Sequence, residues 1–189
     1  QPFLFQASER MRAASMIKLF VLAKAMQDVK DGKMSLEDTI PLRTRDMVDG
    51  AGVIAGQAPG TRYPIGKLME LMITESDNTA TNMVIDRVGM DAINGYIARN
   101  GYSDTALRRK MMDLDAIRAG RENYSSAWDL GTIFLRIYRH ACVGGAYDET
   151  MLEFLKGQTD TDCFPAALPG RTIAHKTGAR AGLYDDGGI

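Results

Sequence analysis

Three short stretches of this sequence each bring a hydroxyl close to an amine or an amide. Ser15-Met16-Ile17-Lys18 sets a serine and a lysine three residues apart, on one face of a helix and one turn from each other. A lysine beside a mostly apolar core loses the solvation of its ammonium form. Its pKa falls, and it becomes able to take a proton from the serine hydroxyl. A serine at a helix N-terminus also lies where backbone N–H groups and the helix dipole favour developing negative charge. Ser76-Asp77-Asn78 offers a hydroxyl as a proton relay and an amide that both donates and accepts toward a substrate amide. His175-Lys176-Thr177-Gly178 offers a cation and a hydroxyl for a carboxylate, then a glycine past which a ligand backbone can run closely.

Taken singly, each stretch has an ordinary explanation. The first reads as a capping serine with a snorkelling lysine, the second as an N-cap at a helix–helix turn, the third as an edge strand with a protective lysine. From the residue counts, chance supplies roughly 0.3, 0.02 and 0.06 occurrences of the three patterns, and roughly three in ten thousand of all together. The ordinary explanations hold member by member and fail for the set.

The elements that must position these residues are mostly helical. Met16, Ile17, Leu19, Phe20, Val21, Leu22, Ala23, Ala25, Met26 and Val29 cover most of the circumference of a helix predicted from Ala14 to Lys30, which places it inside a core. Residues 46–64, with Gly50, Gly52, Gly56, Pro59 and Gly60, read as loop. Gly50-Ala51-Gly52 is a poor phosphate loop, since no Lys-Ser/Thr follows and no strand precedes it. Helices are predicted from Ile65 to Glu75 and from Thr79 to Val88. After an irregular excursion from Leu107 to Ser125, two more are expected from Trp128 to His140, capped by Ser126, and from Asp148 to Lys156. Trp128 reads as a core anchor, and the twelve methionines as an adaptable core. Strand-like runs come last, Arg171 to Lys176 and Leu183 to Ile189. The expected class is α+β, a helical lobe packed on an antiparallel sheet, in one domain over residues 1–189.

Composition narrows the function classes. The 189 residues are 45% hydrophobic and 25% charged, with a formal net charge of −1, so there is material for a core and no basic excess for nucleic acid. The most apolar run, Met16 to Met26, carries Lys18 and Lys24 and is too short to span a bilayer. His140 and His175 belong to no metal-ligand spacing, so neither metal nor cofactor is expected. Cys142 and Cys163 either pair once or stay as small buried thiols, the second being the simpler expectation.

Ser-x-x-Lys, Ser-Asp-Asn and Lys-Thr-Gly, in that order, resemble the motif set of the penicillin-recognising serine enzymes, which include class A β-lactamases and penicillin-binding proteins. The separations, 61 residues from Ser15 to Ser76 and 100 from Ser76 to Lys176, are similar to the family's, and Ser76-Asp-Asn-Thr-Ala-Thr-Asn82 resembles class A. The resemblance implies a β-lactamase/transpeptidase-like fold and acylation of Ser15 by a β-lactam or a D-Ala-D-Ala-like peptide. Lys18 would accept the proton and Ser76 would pass one to the leaving nitrogen. Asn78 would hold the acyl amide, Lys176 and Thr177 would bind the substrate carboxylate, and Gly178 would give close access. The N–H groups of Ser15 and Ala179 would form an oxyanion hole, each donor worth ~3–4 kcal/mol of barrier. A periplasmic or secreted location is implied as well.

Two departures from the family pattern stand out. The Glu-x-x-Leu-Asn motif whose glutamate activates the deacylating water is missing from residues 107–123, leaving Asp113, Asp115 and Glu122 as substitutes. Without a base about 3 Å from that water the acyl-enzyme should persist. In addition, most of the family's five-stranded sheet lies outside residues 1–189. The chain therefore reads as a fragment, a trimmed product or a partially ordered chain, lacking N-terminal strands and a C-terminal strand and helix, its missing strands expected from another chain or segment. Three functions are in contention: a β-lactamase-like hydrolase first, a slowly deacylating D,D-peptidase or esterase of the same fold second, and a non-catalytic binding domain third.

Overall fold

At the centre of the molecule runs a helix that is apolar on all sides. A computed structural model describes residues 3–189. It begins with a strand β1 (Met11–Arg12), a 3-10 turn (Ala14–Ile17) and α1 (Lys18–Lys30). Residues Leu19 to Ala23, with Ala25 and Met26, are wholly buried. Besides Lys18, two ionisable side chains are buried in this helix without breaking the core: Lys24 pairs with Asp28 one turn on, and Lys33 reaches the other Asp28 oxygen at 3.2 Å. The stop signal at Asp31-Gly32 works through the left-handed φ of +70° at Gly32, whose N–H bonds the Val29 carbonyl.

After β2 (Thr39–Pro41) and β3 (Arg62–Pro64), which pair with each other, come α2 (Ile65–Thr74), α3 (Asn78–Val88) and α4 (Met90–Arg99). The short α5 (Leu114–Arg118) and the strand β4 (Tyr124–Ser125), which pairs with β1, precede α6 (Ala127–Tyr138), α7 (Gly145–Lys156) and α8 (Phe164–Ala167). Helices α2, α3, α4 and α7 all pack on α1. The chain closes with an antiparallel hairpin of β5 (His175–Arg180) and β6 (Leu183–Gly188), which rests on the 3-10 turn and on α6. Helices thus surround α1, with small antiparallel sheets at the margin, and among the described residues no helix is long and apolar enough to cross a membrane.

Several expectations need correction. Trp128 is no core anchor but 52% exposed. It sits nine residues before Ile137, about 180° away around α6, so the face that buries Ile133, Phe134 and Ile137 turns the indole to solvent. The first β5 residue is His175, not Arg171: the ladder runs out at the pair Ala174–Ile189, and residues 171–173 have no facing backbone. Lys176 therefore opens a strand rather than ending one. The first turn of the Ser15 helix is 3-10, not α. Helix α4 was not anticipated, although Ile93, Tyr96 and Ile97 carry helical spacing, because Gly89 and Gly95 interrupt the pattern. Both cysteines are free thiols, and Cys163 is exposed rather than buried.

Candidate active site

Ser15 lies in the second position of the 3-10 turn, directly after Ala14 at φ +38°. Of six non-glycine residues at positive φ among those described, Ala14, Ser76 and Met112 border this one region, where backbone strain is most readily held for a purpose. One turn on, the Lys18 side chain points into the interior and is fully buried. It does not bond Ser15. Its Nζ reaches the Ser76 carbonyl at 2.6 Å, Ser76 Oγ at 3.1 Å and Asn78 Oδ1 at 3.0 Å.

Ser76-Asp77-Asn78 is presented by the turn between α2 and α3. Ser76 sits at φ +50°, which turns both its carbonyl and its hydroxyl toward Lys18. Asp77 does the structural work expected of an N-cap: one carboxylate oxygen accepts from Ala80 N at 2.8 Å, the other from Val53 N at 2.7 Å and Ile54 N at 2.9 Å. The glycine-rich loop wraps this turn. A Cβ on Gly52 would fall 2.3 Å from Asp77 Cγ, and one on Gly50 would fall 2.7 Å from Asn78 Nδ2. Those two glycines serve backbone approach to the site, a role that their sequence context did not reveal. The Asn78 amide accepts from Lys18 and donates to the Asp49 carbonyl at 3.2 Å, leaving one N–H and one lone pair for a ligand.

From the opposite side, β5 delivers Lys176, also fully buried. Its Nζ donates to Ser76 Oγ at 3.1 Å and to the Thr177 carbonyl at 2.7 Å. The Ser76 hydroxyl therefore stands between two lysine nitrogens. The strand register adds a further point. Ala174 and Ile189 exchange both backbone bonds, so alternate pairs up the ladder do the same and Ala179 falls on a non-bonded pair. Its N–H points away from β6, toward the side where the 3-10 turn lies. Gly178 permits the approach, since a Cβ there would stand 3.3 Å from Ser15 N and 3.2 Å from Met16 Cγ.

The two amines are electrostatically unequal. Burial drives the Lys18 pKa well below that of an ordinary lysine, and the neighbouring Lys176 charge lowers it further against a smaller raising effect of Asp77. Burial brings Lys176 down to about 7, opposed by Asp160 and Asp186. Burial thus favours the uncharged form of Lys18, whose lone pair can take a proton. Ser76 Oγ can then accept from a protonated Lys176 while donating to Lys18, which makes a proton path between them.

Beside Ser15 opens a cavity of about 460 Å³ bounded by Asn78, by Ala179 to Ala181, and by Arg109, Met111, Met112, Leu114 and Ile117. No carboxylate is among its lining residues. Of the three acids considered for water activation, Asp113 caps α5 by accepting from Ala116 N at 2.9 Å. Asp115 is paired with Arg118 on the surface. Glu122 is committed to Arg109 and Arg180. The structure thus gathers Lys18, Ser76, Asn78 and Lys176 into one network, with Ser15 and Ala179 on the cavity wall, and leaves all three acids out.

The chain matches the family described as "Beta-lactamase enzyme family" over residues 1–189. A β-lactamase of Streptomyces albus G is 29% identical over 199 residues, covering 98% of this chain and 62% of the relative. The β-lactamase PSE-4 of Pseudomonas aeruginosa is 26% identical over 117 residues, 61% of this chain and 40% of the relative. The chain spans 37% to 63% of the length of the curated relatives it matches. Among solved structures, a β-lactamase from Sphaerobacter thermophilus DSM 20745 superposes with a TM-score of 0.93 at 30% identity, over 100% of this chain and 72% of the other. A leucine-to-glutamate mutant of PBP-A, an acyl-enzyme complex with penicillin G, superposes at 0.90 with 31% identity, over 97% and 69%.

Proposed function

Because the chain belongs to the beta-lactamase enzyme family, we propose that it is a serine hydrolase opening β-lactam rings through a covalent acyl-enzyme. The observation that carries this reading is the shared Ser76 hydroxyl, bonded from Lys18 and Lys176 at 3.1 Å each next to a cavity that exposes Ser15. Ser15 Oγ attacks the lactam carbonyl, and its proton passes to the Lys18 amine, whose uncharged form burial favours. The oxyanion is met by the N–H groups of Ser15 and Ala179. The proton then travels through Ser76 Oγ to the lactam nitrogen as the C–N bond breaks. Lys176 and Thr177 take the substrate carboxylate, and the free N–H and lone pair of Asn78 take its side-chain amide. In this reading residues 1–189 belong to one catalytic domain. The location we propose is periplasmic or secreted, where such substrates are met.

A second reading has one observation in its favour. Deacylation needs a base beside the attacking water, and the cavity around Ser15 is lined by Met111, Met112, Leu114 and Ile117 without a carboxylate. A D,D-peptidase-like penicillin binder that releases its acyl group slowly fits that wall. Stopped-flow with a chromogenic cephalosporin separates the two: sustained turnover is the expected result for the hydrolase, and a single stoichiometric burst assigns the slow acyl-enzyme. Labelling by fluorescent penicillin that survives Ser15→Ala, or no reaction at all, would overturn both.

A further inference from the structure

The walls of the Ser15 cavity come from parts of the chain far apart in sequence. One is the end of β5 with its turn, Ala179 to Ala181; the other belongs to the segment 107–125. That segment is anchored on its far side. Asn123 O accepts from Ala13 N and Asn82 bonds both backbone groups of Met111, while Asn123 Oδ1, accepting from Arg108 N and Arg109 N, closes the segment on itself. Toward the β5–β6 hairpin, the described residues show a single hydrogen bond, and it is charged: Arg180 Nη1 donates to Glu122 Oε1 at 2.5 Å. The other Glu122 oxygen accepts from Arg109 Nη2 at 2.7 Å and Nε at 3.2 Å. Burial pushes the Glu122 carboxyl up, but the hydrogen bonds from Arg180 and Arg109 outweigh it and hold the group below the usual range. Both oxygens are thus ionised acceptors, each committed to its own guanidinium.

We propose that Arg180 is a positioning residue that, through Glu122, ties the strand carrying the Ala179 N–H to the opposite wall of the cavity. The inference deepens the acyl-transfer reading and rests on it. Arg180 is the last residue of β5 and the next residue after Ala179, so a shift of its guanidinium reaches the Ala179 N–H through one peptide unit. An oxyanion donor acts only when held at hydrogen-bond distance from where the charge develops, and a misplacement of about 1 Å is enough to slow reaction substantially. Arg109 cannot substitute for the tie, because it belongs to the same segment as Glu122. Ionic bonding also suits the position: the Arg180 side chain is 27% exposed, and a charged bond between strand end and loop holds more strongly there than a neutral one.

The test uses the chain as it stands, with fluorescent penicillin as probe, and compares Arg180→Gln, Arg180→Lys, Glu122→Gln and the Arg180→Gln/Glu122→Gln pair. Three quantities are read: the acylation rate constant, amide hydrogen exchange across residues 107–125, and the unfolding midpoint. Arg180→Gln is expected to slow acylation roughly tenfold and to speed exchange in that segment, with Arg180→Lys recovering part of both. In the Glu122→Gln background the Arg180→Gln change is expected to add nothing further. The proposal is overturned if Arg180→Gln slows acylation equally in both backgrounds, since the guanidinium would then act on the ligand directly. It is overturned as well if acylation and exchange do not move together. Should Glu122→Gln fail to fold, the Arg180→Gln and Arg180→Lys pair still decides by that second criterion. An unmodified chain that takes no label sinks the acyl-transfer reading instead, while exchange in Arg180→Gln still reports on the tie.

Discussion

The two sides of the Ser15 cavity are built on different principles. On one side Lys18, Ser76, Asn78 and Lys176 form a buried polar network, each group pinned by hydrogen bonds and set on α1, the α2–α3 turn or β5. On the other, Met111, Met112, Leu114 and Ile117 present an apolar face on a segment with only one turn and a half of helix. In the proposed reaction, forming the acyl-enzyme draws on the first side, and hydrolysing it draws on the second. If that reaction holds, the unequal construction predicts that acylation and deacylation can be changed separately.

The contrast breaks most completely at Lys18. Lys18→Met removes the proposed base and keeps the buried volume, and should lower the acylation rate constant ~10³-fold with little loss of fold, as single-turnover labelling would measure. A methionine variant that labels at the original rate would move the base elsewhere. Next in size is the opposite wall. Met111 has both backbone groups locked by Asn82, so a carboxylate there starts from a fixed backbone. Met111→Glu should speed release of the acyl group ~10²-fold without accelerating acylation, seen as conversion of a burst into steady turnover.

The buried amines also give the polar side a pH signature. The Lys176 pKa is about 7 in the folded chain against 10.5 for the ordinary lysine of the unfolded chain. Between those values the unfolded state binds more protons, so stability rises with pH across that window, and Lys18 acts in the same sense. Urea midpoints at pH 7.0 and 9.5 should show a gain on the order of 1–3 kcal/mol, reduced in Lys176→Met. A flat profile would mean that the amines are solvated. Smallest is a control that lines neither wall: Trp128→Ala, at an exposed indole, should change the unfolding free energy by no more than about 0.5 kcal/mol and leave labelling intact.

Much of this was legible beforehand because it depends on short-range pattern. The all-round apolar run of α1, the Ser126 cap of α6 and the Asp31-Gly32 stop are local signals, and the structure has all three. Trp128 and the early start of β5 were misread for the opposite reason. Hydrophobic type does not say which face of a helix a residue occupies, and strand limits follow from the partner strand. The role of Gly50 and Gly52 depends on side chains 25 or more residues away, beyond the reach of any local pattern.

By its order and spacing of motifs, the sequence alone determined the family and which residues are candidates for the reacting groups, since those are properties of residue type. Only the tertiary structure decided that Lys18 bonds Ser76 and Asn78 rather than Ser15, that Lys176 shares the same hydroxyl, and that Glu122 is spent on two arginines. Apart from Arg109–Glu122, 13 residues apart, these contacts join positions 58 to 100 residues apart. Their geometry and the pKa values they set are products of burial and close packing, which exist only once the chain has folded.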